Sequence, residues 1–398
     1  MRAAFILLLA FAPLAHAAKT QRTDIRSDTA ERWLLANAPA LLSTELVPYS
    51  HDLEPLRPLA GNRTIVALGD ATHGTHEFYT VKLRAIDFLV RELNFDVVAL
   101  EAPFPTLNRI DAYVQGGAGD PRALLADLKH AIYPFWNSEE LLAVIEWMRA
   151  YNVVRGSRPA VHIGGLDPYE MNAAADEVVA YLRSVDPVGA AETEVHYACA
   201  RGQRVYDELA AREAELVART GPAAFHEALQ YARIVAQGRS GDARDEALAE
   251  NALWMREHRS ATGRIIVWAH NGHVARVADA FAKRPMGALL ESAAGDEYLA
   301  IGTLAGSGSF IGWTPPPNVA VTRTFAPLRE GMYETLFRRR SAVAQLIPLN
   351  ESSWLPEEMT FNSSGSGDKG ATRMRGRLAD LFDAVIYIET TTPLRLLP

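Results

Sequence analysis

Histidines and carboxylates of this chain fall directly after apolar runs, the places where an α/β protein can put side chains that move a proton. Gly69-Asp-Ala-Thr-His-Gly-Thr-His-Glu77 follows Thr64-Ile-Val-Ala-Leu68, and His270-Asn-Gly-His273 follows Arg264-Ile-Ile-Val-Trp-Ala269. Glu101 follows Phe95-Asp-Val-Val-Ala-Leu100, and Asp167 follows Val161-His-Ile-Gly-Gly-Leu166. In an open parallel sheet the carboxyl ends of the strands share one edge, and ligands bind there. His73, Glu101, His270 and His273 are therefore expected to converge although they lie far apart in the chain. Imidazoles and carboxylates gathered there handle protons near neutral pH or hold a metal ion.

Each residue also has a plainer reading. Gly69 and Gly74 flank His73 and suit a tight strand-to-helix turn that exposes the imidazole at the sheet edge. Asp70 either bonds that imidazole and sets its tautomer or stabilises the turn. Glu77 shares a face with His73 if the helix opens at His73; otherwise it is an acid favoured by the helix dipole. His76 is read as a surface residue. Glu101 and Asp167 are costly inside a core, so each needs partners or an open cleft. His270 and His273 meet near one point if a helical turn begins there, and their spacing also suits two metal ligands. Lys82 and Arg84 face the site as cations for an oxyanion or substrate carboxylate, or lie on a solvated helix face. Arg244-Asp245 reaches the cleft from a helical segment. No G-x-S-x-G elbow, Walker A, H-E-x-x-H or C-x-x-C occurs, which argues against a covalent Ser or Cys intermediate.

The elements that must position these residues alternate along the chain. Apolar runs at Thr64–Leu68, Phe95–Leu100, Ala160–Gly164, Arg264–Ala269, Tyr298–Leu304, Val343–Pro348 and Ala384–Ile388 read as strands. Helical spacing covers Glu77–Leu93 and Thr106–Val114, and Ser138 caps a helix running to Asn152. This rhythm predicts an α/β fold with a largely parallel sheet flanked by helices. Residues 171–259 are helical throughout and read as an insertion or cap over the cleft, with 18–170 and 260–398 forming the catalytic core. Ser363-Ser-Gly-Ser-Gly-Asp368 is expected to be a flexible loop.

At the start, Arg2, the apolar stretch Ala3–Leu14 and Ala15-His-Ala17 make a secretory signal peptide (1–17), with cleavage after Ala17 and a periplasmic or secreted product. The stretch is too short for stable membrane insertion. A composition of 48% hydrophobic and 22% charged residues is that of a globular chain, and a net charge of −8 argues against a nucleic-acid partner. Cys199, the only cysteine, leaves no internal disulfide and is read as a buried or inert thiol in a helical stretch.

Taken together, the segments resemble the erythromycin esterase family. The matching residues are Gly69–Phe78 with Lys82, Ala99-Leu-Glu-Ala102, Trp136-Asn-Ser-Glu139 with Trp147–Asn152, Arg244-Asp245 with Ala249-Glu-Asn251, Trp268–Val274, and Phe382–Tyr387. The resemblance implies an α/β fold with helices over a cleft and hydrolysis of the lactone ester of macrolide antibiotics, hence antibiotic resistance. It implies His73 as the general base, Glu101 as its acidic partner, and His270 and His273 as the other site histidines. Asp70, Glu77, Lys82, Asp167 and Arg244 are expected to support them or bind substrate, with no metal required. Members active on macrolides typically carry Glu where this chain has Asp70. The alternatives are a hydrolase of another ester or amide using a divalent metal at His73, Glu101, His270 and His273, or a periplasmic binder of a haem-like ligand without turnover.

Overall fold

The structure, a computed structural model, describes residues 29–46, 51–128, 134–238, 243–278, 283–314, 319–349, 355, 358–367 and 372–398. The expected signal peptide and Asp368 lie outside the described residues.

Eleven strands occur among them: β1 (Ala40–Leu41), β2 (Ile65–Asp70), β3 (Val97–Pro103), β4 (His162–Asp167), β5 (Ile265–His270), β6 (Tyr298–Trp313), β7 (Ala320–Thr324), β8 (Ala344–Pro348), β9 (Met359–Asn362), β10 (Arg373–Gly376) and β11 (Ala384–Thr391). Nine form one sheet in the order β1-β8-β11-β6-β2-β5-β3-β4, with β7 paired to the far end of β6, and β9 and β10 make a separate antiparallel pair. From β11 to β4 six neighbours run parallel. The antiparallel pairs are at the flank, where β8 pairs β11 and β1 pairs β8, and at the far end of β6, where β7 pairs it. Strands covered on both faces must be apolar along their whole length. Accordingly Ile65–Leu68, Val97–Leu100 and Ile265–Ala269 are all buried.

The mixed α/β architecture with a mainly parallel sheet is the one expected. Two strands differ from the sequence reading. β6 does not stop at Leu304 but runs on to Trp313, where it turns back through β7. Val343–Pro348 does become a strand, yet its direction opposes its neighbours.

Helices fill the crossovers. His76–Leu93 links β2 to β3, and Phe104–Val114, Pro121–Leu128 and Glu139–Val154 lie between β3 and β4. Ser138 caps the last of these by accepting from the Leu141 N–H at 3.2 Å. Residues 171–258 supply six helices among the described residues, ending with Arg244–His258. That final helix packs on β3, β4 and β5. Its Asn251 is buried and donates to the Leu166 carbonyl at 2.7 Å, so its first turn is held at the carboxyl edge of the sheet. No helix among the described residues is long and apolar enough to cross a membrane. Cys199 ends the helix Pro187–Ala198 and is exposed, not buried, because that helix turns only a narrow face inward.

Candidate active site

Sheet register alone brings the first pair together. Asp70 and His270 are opposite one another at the ends of β2 and β5. Beside them, β3 carries one extra residue against β4 between Leu100 and Pro103. A bulge of this kind re-aims a side chain, and here it falls at Glu101 and Ala102. Asp167 closes β4, and Arg244 with Asp245 arrives from the start of the last helix of the 171–258 stretch.

His73 lies in the turn after β2, before the helix that begins at His76. Its Nδ1 faces Asp70 Oδ1 at 3.1 Å, and Asp70 Oδ2 accepts from Lys82 Nζ at 2.6 Å. Lys82 is fully buried, with Nζ 4.6 Å from the centre of the Trp268 ring. The turn tolerates no side chain at Gly74, where a Cβ would run into the Ile311 carbonyl. That close approach lets β6 pass the turn and lets Ile311 N–H donate to the Gly74 carbonyl at 2.8 Å.

Glu101 bonds elsewhere. One oxygen accepts from Arg244 Nη2 at 2.7 Å and lies 3.3 Å from His273 Nε2, while the other accepts the His270 backbone N–H at 2.8 Å. Asp167 holds the same guanidinium through two bonds, of 2.7 and 2.9 Å. His273 Nδ1 donates to Asp245 Oδ1 at 2.7 Å, and its Nε2 lies 2.8 Å from Arg244 Nη1. The imidazoles of His73 and His270 meet edge to face with centres 5.6 Å apart, and Phe135 lies 5.9 Å from His73.

Burial and charge set the protonation states. For Asp70, burial opposes ionisation, but Lys82 and His73 outweigh it and hold the carboxyl below the usual range. His73 is desolvated too, yet Asp70 and then Glu101 lift it above its ordinary value. For His270 the balance reverses: burial, with His73 adding to it, outweighs the pull of Asp70 and Glu101 and pushes it down to about 3, so the ring is neutral. His273 is raised to about 9 because Glu101 and Asp245 overcome its burial. Glu101, though buried, is held well below the usual carboxylate value by His273 and Arg244. Burial lowers Lys82 to about 8 against the pull of Asp70.

The structure thus brings His73, Asp70, Lys82, Glu101, Asp167, Arg244, His270 and His273 to one edge. Four expectations change. Glu101 is not the direct partner of His73; Asp70 is, and Glu101 acts on that ring through space. Glu77 does not serve His73, since His73 precedes the helix and both Glu77 oxygens accept from Thr392, from its N–H and its hydroxyl, each at 2.7 Å. Arg84 faces away, paired with Asp52 at 2.7 Å, because two residues along a helix turn the side chain to the far side from Lys82. His76 is no surface residue either, with Nδ1 bonded to Glu140 at 2.7 Å and Nε2 to Glu45 at 2.9 Å.

The sequence singles out the Arg244-Asp245 pair but gives no sign that Asp245 is the partner of His273. Nor does it place Ser363 at the site, where its hydroxyl lies 3.2 Å from His270 Nε2. Residues 363–367 are tied over the His73 turn: Ser364 and Gly365 N–H both reach the Ala71 carbonyl, and His73 N–H reaches Gly365. A Gly/Ser run reads as flexible because its partners, Ala71 and His73, are almost three hundred residues away. Among the described residues, no group of three or more His, Cys, Asp or Glu side chains is disposed to hold a metal ion.

A mainly parallel α/β sheet with a buried histidine–carboxylate centre at its carboxyl edge is an arrangement with the groups needed to move protons on a bound ligand. The chain belongs to the erythromycin esterase family, whose pattern matches residues 90–391. Membership of that family places it among hydrolases. Over 65% of this chain and 72% of the relative it is 24% identical to the Escherichia coli erythromycin esterase type II. It is 22% identical to a putative hydrolase of Bacillus subtilis, covering 98% and 96% of the two chains. Among solved structures, a Bacillus cereus protein superposes with a TM-score of 0.83 at 23% identity, covering 94% of this chain and 99% of that one. An erythromycin esterase mutant in its open conformation superposes at 0.67 with 17% identity, over 89% and 97%. These likenesses establish the shared fold.

Proposed function

We propose that the protein hydrolyses an ester of a small molecule, a macrolide-type lactone being the first substrate to try, with water as the nucleophile and without a required metal. The observation that carries this reading is the Asp70–His73 pair. A proton on Nδ1, the nitrogen 3.1 Å from Asp70 Oδ1, leaves the basic lone pair of the neutral ring on Nε2. A water bonded there loses its proton as it attacks the ester carbonyl, and Asp70 stabilises the imidazolium that forms. Glu101, fixed by Arg244 and the His270 N–H, adds a negative field that favours the same imidazolium. His270, neutral and proton-bearing, donates to the developing oxyanion. Two ring nitrogens favour the metal-free version by already having protein partners, His273 Nδ1 with Asp245 at 2.7 Å and His270 Nδ1 with Gly272 at 3.1 Å. Export to the periplasm or medium, after cleavage following Ala17, belongs to the same proposal.

The test is mass spectrometry of erythromycin incubated with the purified protein, with and without chelator, beside His73→Asn. A gain of one water, indifferent to chelator and absent in the variant, is expected. Turnover that survives in a folded His73→Asn protein would remove His73 as the base. Loss of turnover with chelator would replace the water mechanism by a metal-bound one. An unchanged macrolide alongside hydrolysis of simple aryl esters would keep the reaction class and reject the lactone.

A further inference from the structure

Ser363 and His270 have the separation of a nucleophile and its base, but the proton lies the wrong way round for that pairing. His270 caps the short helix Asn271–Val274, and its Nδ1 accepts the Gly272 N–H at 3.1 Å. A neutral imidazole that accepts at Nδ1 must carry its hydrogen on Nε2. Ser363 Oγ, 3.2 Å from Nε2, is therefore the acceptor of that N–H. His270 cannot remove a proton from Ser363, and the ring stays neutral because it is enclosed (1% exposed) and beside His73.

We propose that Ser363 is a positioning residue of the site: by accepting the Nε2–H of His270 it fixes the rotation of the ring, and the same hydrogen is then shared, as a three-centre bond, with the ester oxygen that becomes negative in the space beside His73. This rests on the hydrolytic reading given above. Three observations support it. Ser363 is buried (4% exposed), and its backbone is fixed on both sides, since its N–H donates to Thr372 at 3.1 Å and the preceding Asn362 N–H donates to Glu334 at 2.6 Å. The bonds from Ser364 and Gly365 to Ala71, and from His73 to Gly365, make the loop and the base-bearing turn one rigid unit. Trp313 N–H adds a tie to Ser366 at 3.0 Å. A neutral donor also suits its place: an imidazolium at His270 would repel the imidazolium that forms on His73, whereas a neutral N–H stabilises an oxyanion without opposing proton transfer. Without the hydroxyl, the ring keeps its tautomer through Gly272 but loses the contact that fixes its rotation.

The experiment uses the full chain labelled with 15N-histidine, as wild type, Ser363→Ala and Ser363→Thr, with His270→Asn to assign the signals. Wild type is expected to show His270 in the Nε2–H form from about pH 5 to about pH 8, with that proton protected from solvent exchange. Ser363→Ala should lose the protection and lower kcat about tenfold with KM within about twofold, a split that marks loss of transition-state contact alone. Ser363→Thr should restore both readouts. An Nδ1–H tautomer, an imidazolium at neutral pH, an unchanged Ser363→Ala enzyme, or an acyl group trapped on Ser363 would each overturn the proposal. If wild type hydrolyses no ester, the reaction class falls, while the spectra still decide whether Ser363 holds the His270 proton.

Discussion

Asp70 is shared between a base and a cation, and how its charge divides sets the proton affinity of His73. Because His73 works in its neutral form and is raised above its ordinary value of 6.5, kcat/KM should climb with pH through a midpoint above 6.5. Asp70→Asn removes the largest raising influence. Its profile should shift to lower pH while the plateau drops by about a hundredfold, as the imidazolium loses its partner. A pH–rate series on the two proteins checks both shifts, and an unmoved midpoint would separate Asp70 from the base. Arg244 carries a different burden, since it neutralises Glu101 and Asp167 at once, and these are 2% and 0% exposed. Arg244→Met leaves two buried carboxylates facing each other and should destabilise the fold by about 3–5 kcal/mol in urea unfolding, with part recovered by adding Asp167→Asn. At this scale the sequence located the residues well: an acid or histidine directly after an apolar run has few places to go but the sheet edge. It did not disclose the partners. Asp70 takes His73 and Glu101 takes Arg244 because of a β3 bulge and a helix start some 143 residues on, and neither leaves a local signal.

The elements that enclose His73 are those with the weakest sequence signatures. β6 outruns its sheet neighbours through Gly306, Gly308 and Gly312, where strand propensity is low, and it is stabilised by β7 and by the Gly74 contact instead. β9, which delivers Ser363, is anchored by Glu334 of the short helix Tyr333–Phe337, whose carboxylate accepts the Asn362 N–H. Burial raises that carboxyl to about 7, above the 4.5 it has when unfolded. The folded state therefore holds the proton more tightly. Its contribution is whole below pH 4.5 and declines as pH rises towards 7. Glu334→Gln cannot titrate, so it should gain on wild type by on the order of 3 kcal/mol between pH 4.5 and 7.5, read from urea unfolding at the two pH values. A constant difference would mean that Glu334 is ionised in the folded protein throughout. The parallel strands, by contrast, were legible because double-sided burial demands unbroken apolar runs, and so was the Ser138 cap.

For the molecule as a whole, residues 392–398 act as a clasp across the sheet edge. Thr392 is held by Glu77 and bonds His76 N–H, Leu394 N–H reaches the Gly74 carbonyl, Arg395 pairs with Glu140, and Leu397 N–H reaches Asn137. Nothing in a sequence marks Glu77 or His76 as anchors for a segment so distant. Both look like helix-start residues, and that is all local chemistry reveals. Deleting 392–398 leaves the six parallel strands intact but strands Glu77 and Glu140 in partly buried places. The deleted protein should keep its secondary structure by circular dichroism and lose turnover, with hydrogen exchange quickened across residues 71–79. Unchanged exchange there would assign the turn's rigidity to the 363–367 loop alone.

Glu77 and Thr392 are 315 residues apart. On a translating ribosome the turn that carries His73 waits unclasped while some 315 further residues are made. A polypeptide stalled or nicked before Thr392 would hold every one of His73, Asp70, Glu101, His270 and His273, yet lack the segment that locks them in register. In this design the order of the site waits on a contact made long after its own residues.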